Sequence, residues 1–206
     1  MHRVFLLSPA NCAGKRAQLL FRATADFDLA RRLQSGEKIS IGEIFSFLSG
    51  LYFRGKFAYA QRFSQPPASL SGAFVITAGS GLISIDTRLD LKALSSFCDV
   101  PIDYRDARYR FPLERDLQRL AAADCDVVLL GSISTDKYVD VLLSGLSEDR
   151  VFFPIDFIGR GDMSRGGLML RCVRDGRELD YARLAGAVRK GPRPPKLQPI
   201  GTRADG

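Results

Sequence analysis

Short apolar runs alternate with longer amphipathic stretches along most of the chain. Residues 4–8, 73–77, 127–130 and 151–157 are apolar enough to form strands that are buried on both faces. Between these runs, apolar residues recur at three- and four-residue steps, which is typical of helices that pack against a core. The alternation predicts an α/β fold with three layers, in which helices cover both faces of a mainly parallel sheet.

The helical patterns carry local signals at their ends and inside. They cover residues 15–22, 26–35, 41–52, 113–123 and 135–143. Ser40 and Glu43 have the spacing of a capping box, so we expect Ser40 to begin the third helix. Gly50 and Gly55 lie within a helical pattern, where each costs about 1 kcal/mol relative to alanine. These two glycines therefore serve either close packing or a break in the helix.

Proline and serine mark the next helices, and an Asp-Gly pair marks the C-terminal region. Pro112 is predicted to occupy the first turn of its helix, and Ser134 to cap the following one. Asp175 and Gly176 lie between two strand-like runs, which predicts a C-terminal β-hairpin. From Val188 the chain is rich in Pro, Lys and Arg, and we expect an extended basic tail. The predicted organisation is one α/β domain over residues 1–187 and a tail over residues 188–206.

Each of the four predicted strands runs into a polar or glycine-rich loop. The last loop, residues 158–167, contains four glycines, two arginines, Asp162 and Ser164. If the strands are parallel, all four loops gather at one edge of the sheet, where α/β proteins usually bind their ligands. The sequence therefore predicts a recess at the carboxyl edge of the sheet. The glycines expected to shape its loops are Gly14, Gly79, Gly81, Gly131 and Gly161.

The net charge of +7 is concentrated in the last quarter of the chain. Residues 158–203 contain 11 Lys and Arg against 4 Asp and Glu, whereas residues 1–157 contain 19 against 18. Such an excess favours a polyanion such as nucleic acid, or a phosphorylated ligand. The alternative is a solubilising surface with a basic tail. The candidate residues for binding phosphate or nucleic acid are Lys15, Arg16, Arg54, Lys56, Arg160, Ser164 and Arg165.

Two of these groups have a simpler structural interpretation. Lys15 follows a strand and a loop, but the loop lacks the P-loop pattern, so Pro9 and Gly14 could simply shape a turn. The segment of Arg54, Lys56 and Tyr59 could reach a phosphate and a base, or it could form a solvated face.

Aromatic and polar side chains supply the remaining candidates. Tyr52 and Tyr109 are candidates for stacking on a base. Asn11 and Asp162 are the candidate polar groups for catalysis. Residues 84–111 are rich in charged residues and tyrosine. We expect this segment either to line a site or to form an ordered surface connection between elements of the fold.

Several classes of chemistry have no basis in the sequence. The four cysteines lack paired spacing, and Cys12 is the only one placed in a loop where it could react. His2 is the sole histidine, which argues against a Ser-His-Asp triad or a histidine-based metal site. We expect neither a metal nor a cofactor. The N-terminal apolar run is too short for a signal peptide, so we interpret it as the first strand of a cytoplasmic protein without a membrane segment.

Short motifs resemble two families. Leu-Leu-Ser-Pro-Ala at residues 6–10 and Phe-Val-Ile-Thr-Ala-Gly-Ser-Gly-Leu-Ile at residues 74–83 resemble the bacterial peroxide-stress protein family and its small uncharacterised relatives. Residues 127–134 and the loop at 158–167 are similar in layout to the uracil-DNA-glycosylase superfamily, which places active-site loops after the first and a late strand. Here the first loop offers Asn11, and the late loop contains no histidine. The resemblance implies handling of nucleic acid or a nucleobase, in DNA repair, modification or stress response.

Three functions are compatible with these patterns. The first is a nucleic-acid-associated protein that binds phosphate, and a nucleobase, in a cleft formed by the strand-end loops. The second is an enzyme or sensor for a small nucleotide or phosphorylated ligand that uses the same loops. The third is a non-enzymatic subunit whose basic hairpin and tail dock an acidic protein.

Overall fold

The computed structural model describes residues 2–198. Strands and helices alternate along most of this part of the chain. The strands are β1 (Arg3–Leu7), β2 (Ile39–Ser40), β3 (Ala73–Thr77), β4 (Gly81–Ser84), β5 (Arg88–Leu89), β6 (Asp126–Leu130), β7 (Val151–Pro154) and β8 (Tyr181–Arg183). The helices are α1 (Lys15–Phe21), α2 (Asp28–Gln34), α3 (Ile41–Ser49), α4 (Leu51–Phe63), α5 (Leu91–Ser96), α6 (Ala107–Ala121), α7 (Asp136–Gly145) and α8 (Asp162–Asp175).

Within the described residues, one six-stranded sheet has the order β4-β3-β1-β6-β7-β8. The four central strands are parallel, with Leu7 of β1 paired to Val75 on one side and Leu130 on the other. The edge strands β4 and β8 are antiparallel to their neighbours, and β2 and β5 form a separate pair. The four strands expected to be parallel are therefore parallel, and their carboxyl ends lie along one edge of the sheet.

Alternate residues of the parallel strands pack into two cores. Phe5 and Leu7 belong to a core that includes residues of α1 to α5 and α8. Val4 and Leu6 pack on the opposite face, in a core that includes residues of α6 and α7. The sheet is thus buried on both faces, which confirms the three-layer α/β fold.

Two predicted features of the third helical pattern are confirmed. The Ser40 hydroxyl accepts a hydrogen bond from the Glu43 N–H at 3.2 Å and so caps α3. Gly50 has φ +58 and separates α3 from α4, because a left-handed backbone interrupts the helix. Gly55 serves close packing, since a Cβ there would lie 2.6 Å from the carbonyl oxygen of Gly166.

The predicted C-terminal hairpin is wrong. Residues 162–175 form α8, and Gly176 ends the helix in the left-handed conformation, with its N–H directed to the carbonyls of Cys172 and Val173. A glycine at this position satisfies the last carbonyls of a helix, so Asp-Gly here is a helix terminus and not a turn. The chain then continues to β8, which pairs with β7.

Two helix boundaries also differ from the prediction. Helix α6 begins at Ala107, because the Asp106 carboxylate accepts the Arg108 N–H at 2.9 Å and provides an N-cap, and Pro112 lies inside the helix. Helix α7 is preceded by Thr135, without a side-chain cap, so Ser134 does not cap it. The unassigned residues 84–111 contain β5, α5 and the start of α6.

The basic tail contacts the domain along the part that is described. Residues 188–198 contain neither helix nor strand. Arg189 pairs with Asp136 at the start of α7, and the Arg171 guanidinium donates to the carbonyl of Gln198. Gly191 packs on Ile158. Residues 199–206 of the predicted tail lie outside the described residues. Among residues 2–198, no helix has the length and hydrophobicity needed to cross a membrane.

Candidate functional site

A buried polar centre lies at the point where the chain changes direction across the sheet. From β1 the chain first adds β3 on one side and later β6 on the other, so the crevice of the fold opens between the carboxyl ends of β1 and β6. Ser8 follows β1, and its N–H donates to the carbonyl of Leu130 at 3.2 Å. Gly131 lies directly against Ser8, since a Cβ at Gly131 would approach the Ser8 Cβ to 3.0 Å.

Lys56 reaches this centre from α4 and is fully buried. Its ammonium donates to the Ser8 hydroxyl at 2.9 Å and to the Ser8 carbonyl. The rings of Tyr52 and Phe53 lie 4.3 and 4.9 Å from Nζ. Burial is the main reason that the pKa of Lys56 falls to about 7; the charge of Asp162 opposes this shift, and the charge of Arg165 adds to it.

Tyr52, Arg165 and Asp162 lie beside Lys56, and Tyr138 lies near Tyr52 and Asp162. The Tyr52 hydroxyl is buried and has no hydrogen-bond partner in residues 2–198, and burial raises its pKa to about 12. Arg165 is buried, and its guanidinium donates twice to the carbonyl of Phe157, at 2.9 and 3.2 Å. Its third contact is with Asp162 at 3.5 Å. Burial, with the nearby Tyr52 and Asp162, raises the pKa of Tyr138 in α7.

The crossing of α4 and α8 brings these side chains together. A Cβ at Gly166 would lie 2.6 Å from the carbonyl oxygen of Leu51, so the two backbones are almost in contact. This close approach places the first turn of α8, which carries Asp162 and Arg165, beside Lys56.

A positively charged cleft lies on the outer side of the same crossing. It has a volume of about 680 Å³ and is bordered by Arg16 of α1, Arg54 of α4 and Met163 of α8, with residues of α3 between them. Arg16 also donates to the carbonyl of Phe47 at 3.1 Å. No acidic residue lines this cleft within the part of the chain that is described. Two of the predicted phosphate-binding arginines thus meet in one cleft.

A smaller pocket of about 190 Å³ opens between the ends of β1 and β3. Phe45, Phe97 and Val100 form apolar walls, and Asn11 stands in the loop that lines the pocket. The Asn11 side-chain oxygen accepts the Ala13 N–H at 3.0 Å, which fixes the loop. This pocket and the larger cleft have no lining residue in common, although α3 contributes Phe45 to the pocket and residues 46–49 to the cleft.

Several predicted binding residues are buried and have other roles. Lys56 and Arg165 bind the Ser8 hydroxyl and the Phe157 carbonyl, so neither is free at the surface for phosphate. Tyr109 is fully buried in the core on the other side of the sheet, and Tyr52 is covered by Lys56. Neither ring offers an open face to a base. Tyr59 is also fully buried.

The other candidates are distributed along the carboxyl edge. Lys15 is exposed on α1. Arg160 lies in the loop before α8, and its guanidinium donates to the hydroxyl of Ser164 in the first turn of that helix at 3.3 Å. Asn11 lines the small pocket, whereas Asp162 lies beside Lys56, so the two candidate catalytic groups belong to different parts of the edge.

The loop glycines have different surroundings. Gly14 and Gly161 precede α1 and α8, and Gly79 turns the chain after β3 with φ +88. Gly131 borders Ser8, as described above. Gly81 packs under α6, where a Cβ would lie 2.5 Å from the carbonyl of Pro112, so it does not line the recess.

The cysteine chosen for chemistry is a poor nucleophile. Cys12 is buried, and burial together with Cys98 raises its pKa to about 12, so the thiolate is scarce at neutral pH. In residues 2–198 no cluster of three or more His, Cys, Asp or Glu side chains could hold a metal ion.

Sequence reasoning missed Ser8, Tyr138, Phe45 and Phe97 as site residues and misplaced Lys56. A signal for Lys56 was present, because it falls on the buried stripe of α4 formed by Tyr52, Phe53, Tyr59 and Ala60. A lysine that shares a helix face with buried apolar residues is expected to be buried with them.

The fold and the site together define a three-layer α/β protein with a polar centre at the switch point of its sheet. Comparisons with known protein families, curated proteins and solved structures found no match to this chain.

Proposed function

We propose that this protein binds nucleic acid at the carboxyl edge of its sheet. Phosphates occupy the cleft between Arg16 and Arg54, and one unstacked base enters the small pocket beside Asn11. The observation that carries the proposal is that arginines from two separate helices line one cleft without an acidic neighbour in the described residues. Guanidinium groups in such a setting favour phosphate oxygens.

The volume of the small pocket suits a single base better than a larger ligand. This volume of about 190 Å³ is below the range of about 300–1,000 Å³ that is typical of drug-sized ligands. Apolar walls suit the faces of a flat ring, and the Asn11 amide can donate to its edge. A setting in DNA repair, modification or stress response comes from the family resemblance and forms part of the proposal.

The test is a titration of fluorescently labelled single-stranded DNA against the protein at several salt concentrations. We expect affinity to fall steeply with salt, and Arg54→Ala to weaken binding and reduce the salt slope by about 1. Arg62→Ala is the matched control, because Arg62 is also exposed on α4 but does not line the cleft. Affinity that is independent of salt, or equal effects of the two variants, would refute phosphate binding in this cleft.

A small nucleotide is the second candidate ligand. The pocket of about 190 Å³ has room for the base of a free nucleotide as well as for a base of a polymer. The two candidates differ in a thermal-shift experiment with mononucleotides and oligonucleotides. A larger shift with mononucleotides supports the small ligand, whereas a larger shift with oligonucleotides supports the polymer.

A further inference from the structure

The Ser8 hydroxyl and the Lys56 amine form a pair that the binding function does not use. Ser8 lies at the switch point between β1 and β6, where α/β folds place reacting groups. Gly131, directly after β6, lies against Ser8, since a Cβ there would come within 3.0 Å of the Ser8 Cβ and 3.4 Å of its Oγ. The pair therefore occupies a position suited to chemistry.

A purely structural role does not explain Lys56 well, because burying a lysine without a carboxylate partner destabilises the folded protein. The side chain is fully buried, and within residues 2–198 it makes no ion pair with a carboxylate. A buried unpaired charge costs several kcal/mol, so the amine loses its proton more readily than in water. Burial lowers the pKa of Lys56, which favours the uncharged amine, and its free electron pair, 2.9 Å from the Ser8 Oγ, can accept the proton of Ser8.

Tyr52 supplies a third component. Its hydroxyl is buried with no hydrogen-bond partner among the described residues, and a buried hydroxyl without a partner is unfavourable for folding. The Tyr52 ring lies over the Lys56 ammonium, so the hydroxyl belongs to the same centre. Its O–H is available to donate to an oxyanion formed beside Ser8.

We propose that Ser8 is a nucleophile, that Lys56 is its general base, and that the pair hydrolyses esters of small acyl groups. The Ser8 Oγ bonds to the carbonyl carbon while its proton moves to the Lys56 Nζ. The bond from that carbon to the alcohol oxygen breaks, and the alcohol leaves with the proton from Lys56. Water then attacks the acyl-Ser8, gives a proton to Lys56, and releases the acid as this proton returns to Ser8.

The burial of Ser8 restricts the substrate. Only 6% of the residue is exposed, so a small acyl donor is favoured over a long one. This activity is independent of the proposed nucleic-acid binding, because it depends on neither Arg16 nor Arg54.

The test is labelling of the folded protein with a small fluorophosphonate, followed by intact mass measurement and peptide mapping. The Ser8 Oγ bonds to phosphorus, fluoride leaves, and the proton passes to Lys56. We expect one adduct on Ser8, no adduct on Ser8→Ala, and an unchanged adduct on Ser132→Ala, the neighbouring serine after β6. The labelling rate of the wild-type protein should rise between pH 6 and 8, as Lys56 loses its proton.

The variant Lys56→Met should label at least about 100-fold more slowly, which is the usual contribution of a general base. Because Lys56→Met could fail to fold, Tyr52→Phe and the wild-type pH profile provide separate measurements. Tyr52→Phe should slow hydrolysis of p-nitrophenyl acetate while binding of DNA stays unchanged. A folded wild-type protein without an adduct on Ser8 overturns the proposal. So does a labelling rate that is flat with pH, or a folded Lys56→Met that labels at the wild-type rate.

Discussion

Helices α4 and α8 cross with Gly166 against the backbone of Leu51, and the variant Gly166→Ala tests how closely they are packed. An added Cβ would lie 2.6 Å from the Leu51 carbonyl oxygen and 2.8 Å from the Tyr52 Cα. Both atoms belong to a helix backbone and cannot rotate away, so the helices must move apart. Overpacking of this kind typically costs about 1–3 kcal/mol.

Gly167→Ala is the matched control because it lies next in the same helix. Its added Cβ would meet only the end of the Leu197 side chain, at 3.5 Å, which is an ordinary contact. Both variants gain the same helix propensity of about 1 kcal/mol over glycine, so this term cancels between them. We therefore expect Gly166→Ala to be less stable than Gly167→Ala by about 1–3 kcal/mol.

Urea unfolding followed by circular dichroism measures this difference. In a thermal melt, 1 kcal/mol corresponds to roughly 2–4 °C for a domain of this size. Equal stability of Gly166→Ala and Gly167→Ala would refute the close crossing. The position of Lys56 beside the first turn of α8 would then lose its explanation.

Two further predictions concern buried polar groups, and a third concerns a glycine in β4. Because the pKa of Lys56 is about 7 in the folded protein and about 10.4 in the unfolded chain, the unfolded state binds more protons between these values, and stability rises with pH there. The wild-type protein should gain about 3 kcal/mol relative to Lys56→Met between pH 6.5 and 9.5 in urea unfolding, and a constant difference would mean that Lys56 stays charged. Arg165→Ala should lower the melting temperature because the Phe157 carbonyl loses both guanidinium donors and keeps the weaker Arg160 N–H at 3.3 Å, a cost of about 1–3 kcal/mol. Arg160→Ala, which keeps that backbone N–H, should have a smaller effect; equal melting temperatures would contradict this. Gly81→Ala should destabilise the protein in calorimetry, since its φ is +71 and its Cβ would overlap Asp116 and Pro112; wild-type stability would contradict this.

Local signals in the sequence predicted much of the architecture. The four apolar runs correspond to the parallel strands, and Ser40 caps α3 as its spacing with Glu43 indicated. These features depend on residues close in the chain, so hydrophobic period and capping chemistry are sufficient to identify them. Not every local signal was correct, since Pro112 lies inside α6 and Ser134 does not cap α7. The Asp175-Gly176 pair also misled, because a left-handed glycine serves a hairpin and a helix terminus equally well.

Only the tertiary structure determined which polar residues meet. Arg54 and Lys56 are two positions apart on α4, yet one borders an exposed cleft and the other is buried against Ser8. Adjacent positions on a helix point in different directions, and the side that becomes buried depends on where the partner helix packs. The sequence by itself determined the four parallel strands, most helices and the edge where their loops gather, but it did not indicate β2, β4 or β5. The contact of Gly55 with Gly166, between residues more than a hundred positions apart, determined the centre at that edge, because such a contact leaves no periodic signal in the sequence.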